Sequence, residues 1–497
     1  MIVEGQKLII VTQKEVNNRN YSINTMNIFL KRLIGFSIGP IAGAFIAFIT
    51  IPLTTYFISP TEFGKASMFT LFQALIVTFL YLGFDQSYTR EYHDSKNKVN
   101  LLKNAMILPL ILSIVLFFFV CTNLNTVSTL LFDSGKYNTA SLLFGLTVVF
   151  MTVERFILLS IRMEEKALEY SVINVLIKIN ILILTLFFVS MIRQDFLAVV
   201  YSTAIGQLIG DVYLIIRYRK YLDFKNFYFD KDLFLKLLKF GIPLIIAASV
   251  NNLLNSLDRL ALRRWSDFSE IGIFTAALKV SATLSILQVS FTSFWVPTAY
   301  RWYNQNKDIK HFKVVSNVLL LIMSFLFCLI LLLKDLIVIL LSPDYENAKF
   351  IIGFLCLQPI MYTVSETTTL GIVFSKKSHL NILVSILSII PNIILNIILV
   401  PKFGAIGAAI ATGVSYIFFF LGRSYYSNKH WIGFSLKNHI LVTLTIFIGA
   451  LINTQSYKYI NFINFLLLFL ILMIQIPTIR KIVYIYIKKN DNEWDFS

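Results

Sequence analysis

Runs of about twenty continuously apolar residues, separated by short polar connectors, recur along the whole chain. They fall near 33–57, 67–88, 101–122, 140–161, 169–191, 196–216, 238–262, 271–298, 315–341, 349–374, 380–401, 404–424, 438–453 and 460–478. A helix rises about 1.5 Å per residue and the hydrocarbon layer of a bilayer is about 30 Å thick, so each run predicts one crossing helix. The runs lack the segments of about ten alternating residues that a membrane barrel would show. The expected fold is therefore an all-α polytopic membrane protein with about fourteen transmembrane helices.

The two halves of that pattern resemble each other. F-S-I-G-P (Phe36 to Pro40) opens a span that ends in S-P-T-E-F-G-K-A-S from Ser59, and F-G-I-P (Phe240 to Pro243) opens one that ends in S-D-F-S-E-I-G-I-F from Ser266. Gly64 and Gly272 match at an offset of about 208 residues, the mark of a transporter built from two repeated helix bundles around a central site. Y-T-R-E-Y around Arg90 has its echo in A-Y-R-W-Y around Arg301. The expected layout is a flexible polar N-terminus over 1–25, an N-lobe of six helices over 26–216, a basic linker over 217–237, a C-lobe of six helices over 238–424, two further helices over 425–487 and a tail over 488–497. Met26 is an alternative start, and no removable signal peptide is visible after the first span.

Composition agrees with a membrane location: 57% of residues are hydrophobic, 14% are charged and the mean hydropathy is +0.73. The net charge of +17 lies in connectors rather than in a nucleic-acid-binding patch. With the N-terminus inside, inner connectors and termini collect about thirty-one of the 44 basic residues, which places both termini in the cytoplasm. Cys121, Cys328 and Cys356 sit in apolar runs without paired spacing, and the five histidines show no helical metal pair. No cofactor is expected beyond a coupling ion, H⁺ or Na⁺.

Polar residues at membrane depth carry the candidate chemistry, since a charge at the bilayer centre costs about 2.5–3.5 kcal/mol on insertion scales. At helical spacing lie Ser171, Asn174 and Lys178 in span five, and Thr203, Gln207 and Asp211 in span six. Span seven has Asn251, Asn255 and Arg259 with Asp258 beside them. Span eight has Thr275, Lys279 and Thr283, and span ten has Gln358, Tyr362, Ser365 and Thr369 with Glu366 adjacent. Such stripes also serve interhelical hydrogen bonding. Taken together, Lys178, Arg259 and Lys279 exceed their deep acidic partners, so the expected cavity is cationic and suits a phosphate. The stripe ending at Asp211 is a candidate for binding a proton or sodium. Gly35, Gly39 and Gly43 around Pro40 give span one a face for close packing or flexing, and Pro401 to Gly413 is a similar small-residue run.

The stretches I-P-L-T-T-Y-F-I-S-P-T-E-F-G (Ile51 to Gly64), L-G-F-D-Q-S-Y-T-R-E-Y, L-D-R-L-A-L with I-G-I-F-T-A-A-L-K, F-W-V-P-T-A-Y-R-W-Y and P-K-F-G-A-I-G-A-A-I-A-T resemble polysaccharide-export flippases of the Wzx type, in the multidrug/oligosaccharidyl-lipid/polysaccharide exporter superfamily. The resemblance covers about residues 30 to 425. It implies two pseudo-symmetric six-helix lobes in a V, as in MATE transporters, and alternating access. It also implies translocation of an undecaprenyl-diphosphate-linked oligosaccharide across the bacterial cytoplasmic membrane for capsule, O-antigen or a similar polymer. A polysaccharide polymerase and chain-length machinery would be partners. By the same resemblance Asp85 and Arg90 match the family's acid and arginine after span two, Asp258 and Arg259 its D-R pair, and Lys279 its lysine in span eight. Arg90 with Glu91 would anchor the cytoplasmic mouth, Arg90 joining Lys178, Arg259 and Lys279 as a substrate-binding cation for the diphosphate, and Asp85, Asp211, Asp258 and Glu366 would be coupling or pairing acids. Span one is short of charge, which departs from the family pattern. A drug/cation antiporter, a peptidoglycan-precursor flippase and a membrane polymerase remain as alternatives.

Overall fold

The computed structural model describes residues 39, 41–223, 225, 227–377 and 379–487, apart from the side chains of 244, 246–248, 250, 251 and 486. Gly35, Pro40 and the side chain of Asn251 thus lie outside the described residues. Among those residues the chain is helical throughout, without strands.

The N-lobe comprises α1 (Ile41–Phe57), α2 (Pro60–Leu80), the short α3 (Phe84–Glu91), α4 (Lys98–Thr122), α5 (Leu124–Phe132), α6 (Asn138–Met163), α7 (Ala167–Phe187) with a π-turn to Ile192, and α8 (Phe196–Arg217). The C-lobe begins with α9 (Lys231–Trp265) and continues through α10 (Phe268–Ser281), α11 (Leu284–Asn304), α12 (Ile309–Leu332), α13 (Lys334–Leu341), α14 (Ile352–Thr368), α15 (Leu370–Phe374) and α16 (His379–His430). α17 (Lys437–Ile452), α18 (Ile460–Ile474) and α19 (Ile476–Ile487) close the chain. Among the described residues eight helices are long and apolar enough to cross a membrane, ten if each of two pairs bent by 55° is one span, and α1 and α17 are shorter apolar helices. Large apolar side chains such as Phe118, Phe119, Ile394 and Phe469 stand exposed on the outer faces, as helices surrounded by lipid require.

Sequence runs and helices agree closely except where the backbone turns sharply inside a run. The second run, 67–88, breaks after α2, where Leu82 and Gly83 take φ of 47° and 73°. Asp85 therefore opens the separate helix α3 instead of ending the long one. Conversely, two runs merge into the 52-residue α16, which at about 1.5 Å per residue would reach about 78 Å, more than twice the bilayer core. It is a hairpin: Gly404 has φ 51° and ψ −128°, Gly407 approaches the backbone of Leu399, and Gly422 lies beside Val384 and Leu387. Only glycine takes such a φ without strain.

α9 belongs to both halves. Its first turns grip α3 through the Lys236–Glu91 ion pair, a 2.8 Å bond from Ser87 Oγ to the Leu237 carbonyl, and the Arg90 guanidinium stacked 4.0 Å from the Phe240 ring centre. Past Pro243 the same helix packs on α16.

The lobes meet along α2 and α10 through a contact that reads alike from either side. A Cβ at Gly64 would collide with the Phe268 carbonyl, and one at Gly272 with the Pro60 carbonyl. Between them Thr275 Oγ1 donates to Ser67 Oγ at 3.3 Å, two residues separated by 208 positions. The offset extends outward: Glu62 accepts from the Phe196 amide at 2.9 Å where α8 begins, and Glu270 accepts from the Ala405 amide at 2.6 Å where the second arm of α16 begins. Carboxylates at these helix starts satisfy amides that have no partner within the helix.

Candidate functional site

In the C-lobe, the spacing of Asn255 and Arg259 puts both on one face of α9, with Asp258 turned toward α16. Asp258 is buried at 4% exposure. Its Oδ1 accepts from Asn392 Nδ2 at 3.1 Å and Asn396 Nδ2 at 2.8 Å, and its Oδ2 accepts from Thr412 Oγ1 at 2.7 Å. Both arms of the hairpin thus fasten one carboxylate using neutral donors, which supply the hydrogen bonds a buried charge needs. Among the described residues the neighbouring Arg259 makes no ion pair, and its Nε lacks a hydrogen-bond partner. It faces a cavity of about 250 Å³ whose wall includes Asn255, Ser281, Gln358 and Tyr416. Asn255 Oδ1 accepts from the Tyr416 hydroxyl at 3.0 Å and from Gln358 Nε2 at 3.2 Å. Lys279 is exposed, stands 4.9 Å from the Phe63 ring centre on α2 and lies close enough to Arg259 for the two positive charges to interact.

The N-lobe holds a different set. Asp85, 6% exposed, accepts from Arg155 Nη2 at 2.7 Å. Both line a cavity of about 310 Å³ with Tyr81, Gln86 and Asn252. Gln207 Nε2 donates to Asp211 Oδ1 and to Glu154 Oε2, each at 2.8 Å, inside the lobe and away from the Arg259 cavity. Asn174 donates to its own helix at the Tyr170 carbonyl, 2.8 Å. Lys178 is exposed and lies against Gly43 of α1, while Gly39 lies against Ser171.

A third cluster joins α14 to α16. Arg423 Nη1 bonds Glu366 Oε1 at 2.6 Å and Ser365 Oγ at 2.9 Å, and its guanidinium lies over the stacked rings of Tyr362 and Phe419 at 5.0 and 4.7 Å. Glu366 is thereby paired, and Tyr362 supports the pair as much as it faces open space. Arg90 sits apart on Phe240, outside the Arg259 and Lys279 group. At the loop after α6, burial raises the Glu164 carboxyl, but the Lys166 ammonium and the Tyr221 hydroxyl outweigh it and hold the group below the usual glutamate range.

Arg155, Glu154 and Arg423 are the residues that sequence reading passed over. Glu154-Arg155 is an adjacent charged pair inside a predicted span, a signal visible by the same depth argument that selected Lys178. Arg423 stood at the end of a span, where a basic residue reads as an anchor, and its partner lies 57 positions away on another helix.

Apolar helices in two lobes around buried polar clusters define a multi-pass membrane protein. The family comparison makes this specific: residues 29–303 match the model of the polysaccharide biosynthesis protein family, and the chain belongs to that family. It is 24% identical over 152 residues to a probable low-salt glycan biosynthesis flippase, Agl15, of Haloferax volcanii; the match spans 30% of this chain and 32% of that relative. Its fold is similar to that of the lipid II flippase MurJ in an inward closed conformation, with a TM-score of 0.69 at 17% identity over 90% of this chain and 100% of that one. It is also similar to an inward-facing multidrug resistance MATE family transporter of the MOP superfamily, with a TM-score of 0.59 at 14% identity over 78% and 95% of the two chains.

Proposed function

We propose that this chain flips an oligosaccharide carried on undecaprenyl diphosphate from the cytoplasmic to the outer leaflet of a bacterial cytoplasmic membrane, both termini facing the cytoplasm. The observation that supports this most is the freedom of Arg259 and Lys279 beside an Asp258 already satisfied by Asn392, Asn396 and Thr412. Two neighbouring cations without ion pairs repel each other, and an anion between them relieves that repulsion. A diphosphate offers oxygens to both through charge-assisted bonds. Asn255, Gln358 and Tyr416, with Tyr362 farther along α14, supply amide and hydroxyl groups for sugar rings. Lys178 stands on the N-lobe side as a further cation for the headgroup, and the polyprenyl chain stays in lipid as the lobes alternate access.

The likeness to a lipid II flippase keeps a peptidoglycan precursor as a second reading, because that carrier presents the same diphosphate. A cationic drug fits poorly, since Arg259 and Lys279 would repel it. The test is a leaflet inventory of lipid-linked saccharides in cells lacking the protein, with polymerisation blocked. Build-up of envelope-polymer repeat units on the cytoplasmic face, reversed by wild type but not by Arg259→Ala with Lys279→Ala, is the expected result. Build-up of peptidoglycan precursor selects the second reading, and unchanged delivery refutes both. Charge-assisted bonds worth about 1.5–3 kcal/mol each put the double variant's loss at about a hundredfold or more.

A further inference from the structure

The left-handed turn at Leu82 and Gly83 gives α3 a direction of its own, and that direction carries Asp85 and Gln86 to the wall of a cavity of about 310 Å³. Tyr81 of α2, Arg155 of α6, and Ile245 and Asn252 of α9 complete the wall, so both halves of the chain build it. At one end the backbone closes tightly: a Cβ on Gly83 would strike the Gly241 carbonyl, and one on Gly241 the Leu82 carbonyl. The Lys236–Glu91 pair holds α3 to α9 beside that closure.

The polar groups of the wall are only partly used by one another. Asp85 Oδ2 accepts from Arg155 Nη2 at 2.7 Å and from Gln86 Nε2 at 3.4 Å, while no donor reaches Asp85 Oδ1 among the described residues. Arg155 spends one nitrogen on that bond, and its side chain stays 37% exposed. Asn252 gives its amide hydrogens to Thr78 Oγ1 at 3.0 Å, which leaves its side-chain oxygen as an acceptor. The Tyr81 hydroxyl is engaged by the Met151 carbonyl at 3.3 Å, so its ring and Ile245 face the cavity as an apolar wall. A carboxylate oxygen beside a guanidinium offers an acceptor and a donor side by side. Adjacent hydroxyls of a sugar ring, each able to donate and accept, match that pair, and the C–H face of the ring suits the apolar wall. Charge argues against other occupants: Asp85 opposes a phosphate and Arg155 a cation, whereas a neutral polyol meets no net charge.

Asn252 precedes Arg259 by seven residues, two turns of α9, so the two lie on one face about 10 Å apart along the axis, with Asn255 between them. A ligand whose diphosphate rests at Arg259 thus has its first sugar near Asn255 and a further ring at Asn252. We propose that this cavity is a saccharide subsite, in which Asp85 and Arg155 hold adjacent hydroxyls of a sugar beyond the one joined to the diphosphate. The identity of the ligand rests on the flippase reading above. Asp85 is thereby a binding residue rather than a coupling acid, and a sugar held there ties α3 to α9 next to the Gly83–Gly241 closure.

Binding to the full-length protein in lipid nanodiscs tests the subsite with two probes, undecaprenyl diphosphate and the lipid-linked oligosaccharide extracted from cells lacking the protein. In wild type the oligosaccharide probe should bind about ten- to a hundredfold more tightly, the gain that one or two hydrogen bonds to charged groups supply. The ratio of the two affinities is the readout, because a damaged fold lowers both together. Asp85→Leu with Arg155→Met removes both charges at once and should bring the ratio near one; Asn252→Leu, which leaves the ion pair alone, should lower it in part. Periodate, which splits adjacent hydroxyls, should bring the ratio near one in wild type when applied to the oligosaccharide probe. Arg259→Ala with Lys279→Ala should weaken both probes and keep the ratio. A ratio near one with untreated probes in wild type, an arm that needs no variant, overturns the subsite and leaves the diphosphate site standing. Retention of the ratio in both N-lobe variants, or after periodate, overturns it too. Failure of both probes to bind wild type refutes the flippase reading itself.

Discussion

Behind a shared seam the two lobes hold opposite chemistry. α2 and α10 present equivalent residues to each other, and Glu62 and Glu270 begin equivalent helices by the same bond. In the N-lobe the polar interior is acidic, with Glu154, Asp211 and Asp85 gathered around Arg155. In the C-lobe Asp258 is wrapped in neutral donors, Glu366 is paired with Arg423, and the bases Arg259 and Lys279 have no ion pair among the described residues. The backbone frame follows the repeat, while the groups able to hold an ion or a headgroup follow the individual helices.

The sharpest contrast lies between arginines of the same lobe. Arg423 and Glu366 are a buried pair, their side chains 13% and 9% exposed, so Arg423→Ala should cost about 3–5 kcal/mol by stranding the carboxylate. Arg259→Ala removes no ion pair and should change stability by about 0.5 kcal/mol or less while it lowers transport. Thermal unfolding in detergent beside a flipping assay separates the two; equal destabilisation would mean that Arg259 is structural. Next comes the seam. Gly64→Val or Gly272→Val overpacks a backbone contact and should cost about 1–3 kcal/mol. The two single variants should behave alike in thermal unfolding if the contact is symmetric. A smaller effect, about 1 kcal/mol, is expected for Ser67→Ala with Thr275→Ala, which removes the bond between the two hydroxyls and the 2.8 Å bond from Ser67 Oγ to the Gly64 carbonyl. In the same lines, cysteines at 67 and 275 should cross-link and arrest flipping until reduced. The smallest effect is at the α6 loop. Because the Glu164 carboxyl is held below its ordinary value in the folded protein, its contribution to stability is present above that value and lost as pH falls through the lowered one. Lys166→Met should flatten this acid-side slope in melting curves, and an unchanged slope would remove Lys166 as the cause.

Helices and repeat were legible because both are written in local pattern. The period of apolar runs gave bounds within a few residues for α4, α6, α8 and α17, and the matched glycines at 64 and 272 carried the repeat that the Ser67–Thr275 bond now joins. Breaks were harder. The left-handed turn at Leu82 and Gly83 lies inside an apolar run, so its composition does not announce it, and the run 67–88 spans both α2 and α3. The site was partly legible. Depth alone selected Arg259, Lys279, Asp258 and Asp211, but which charges neutralise each other depends on neighbours far along the chain. Asp258 meets donors more than 130 positions away, and Arg155 meets Asp85 across 70.

A surface that matches itself under a half-turn is the usual meeting place of two identical subunits. Here the halves of one chain use it, so each serves as the other's permanent partner, with no concentration dependence and no unpaired copy. Such a joint also constrains inheritance. A bulkier residue at 64 presses on Phe268, and one at 272 presses on Pro60, so substitutions along the seam must be accommodated on the opposite half. The interiors behind it answer to no such rule. One half was free to become a store for acid and the other a seat for base without disturbing the joint that holds them together.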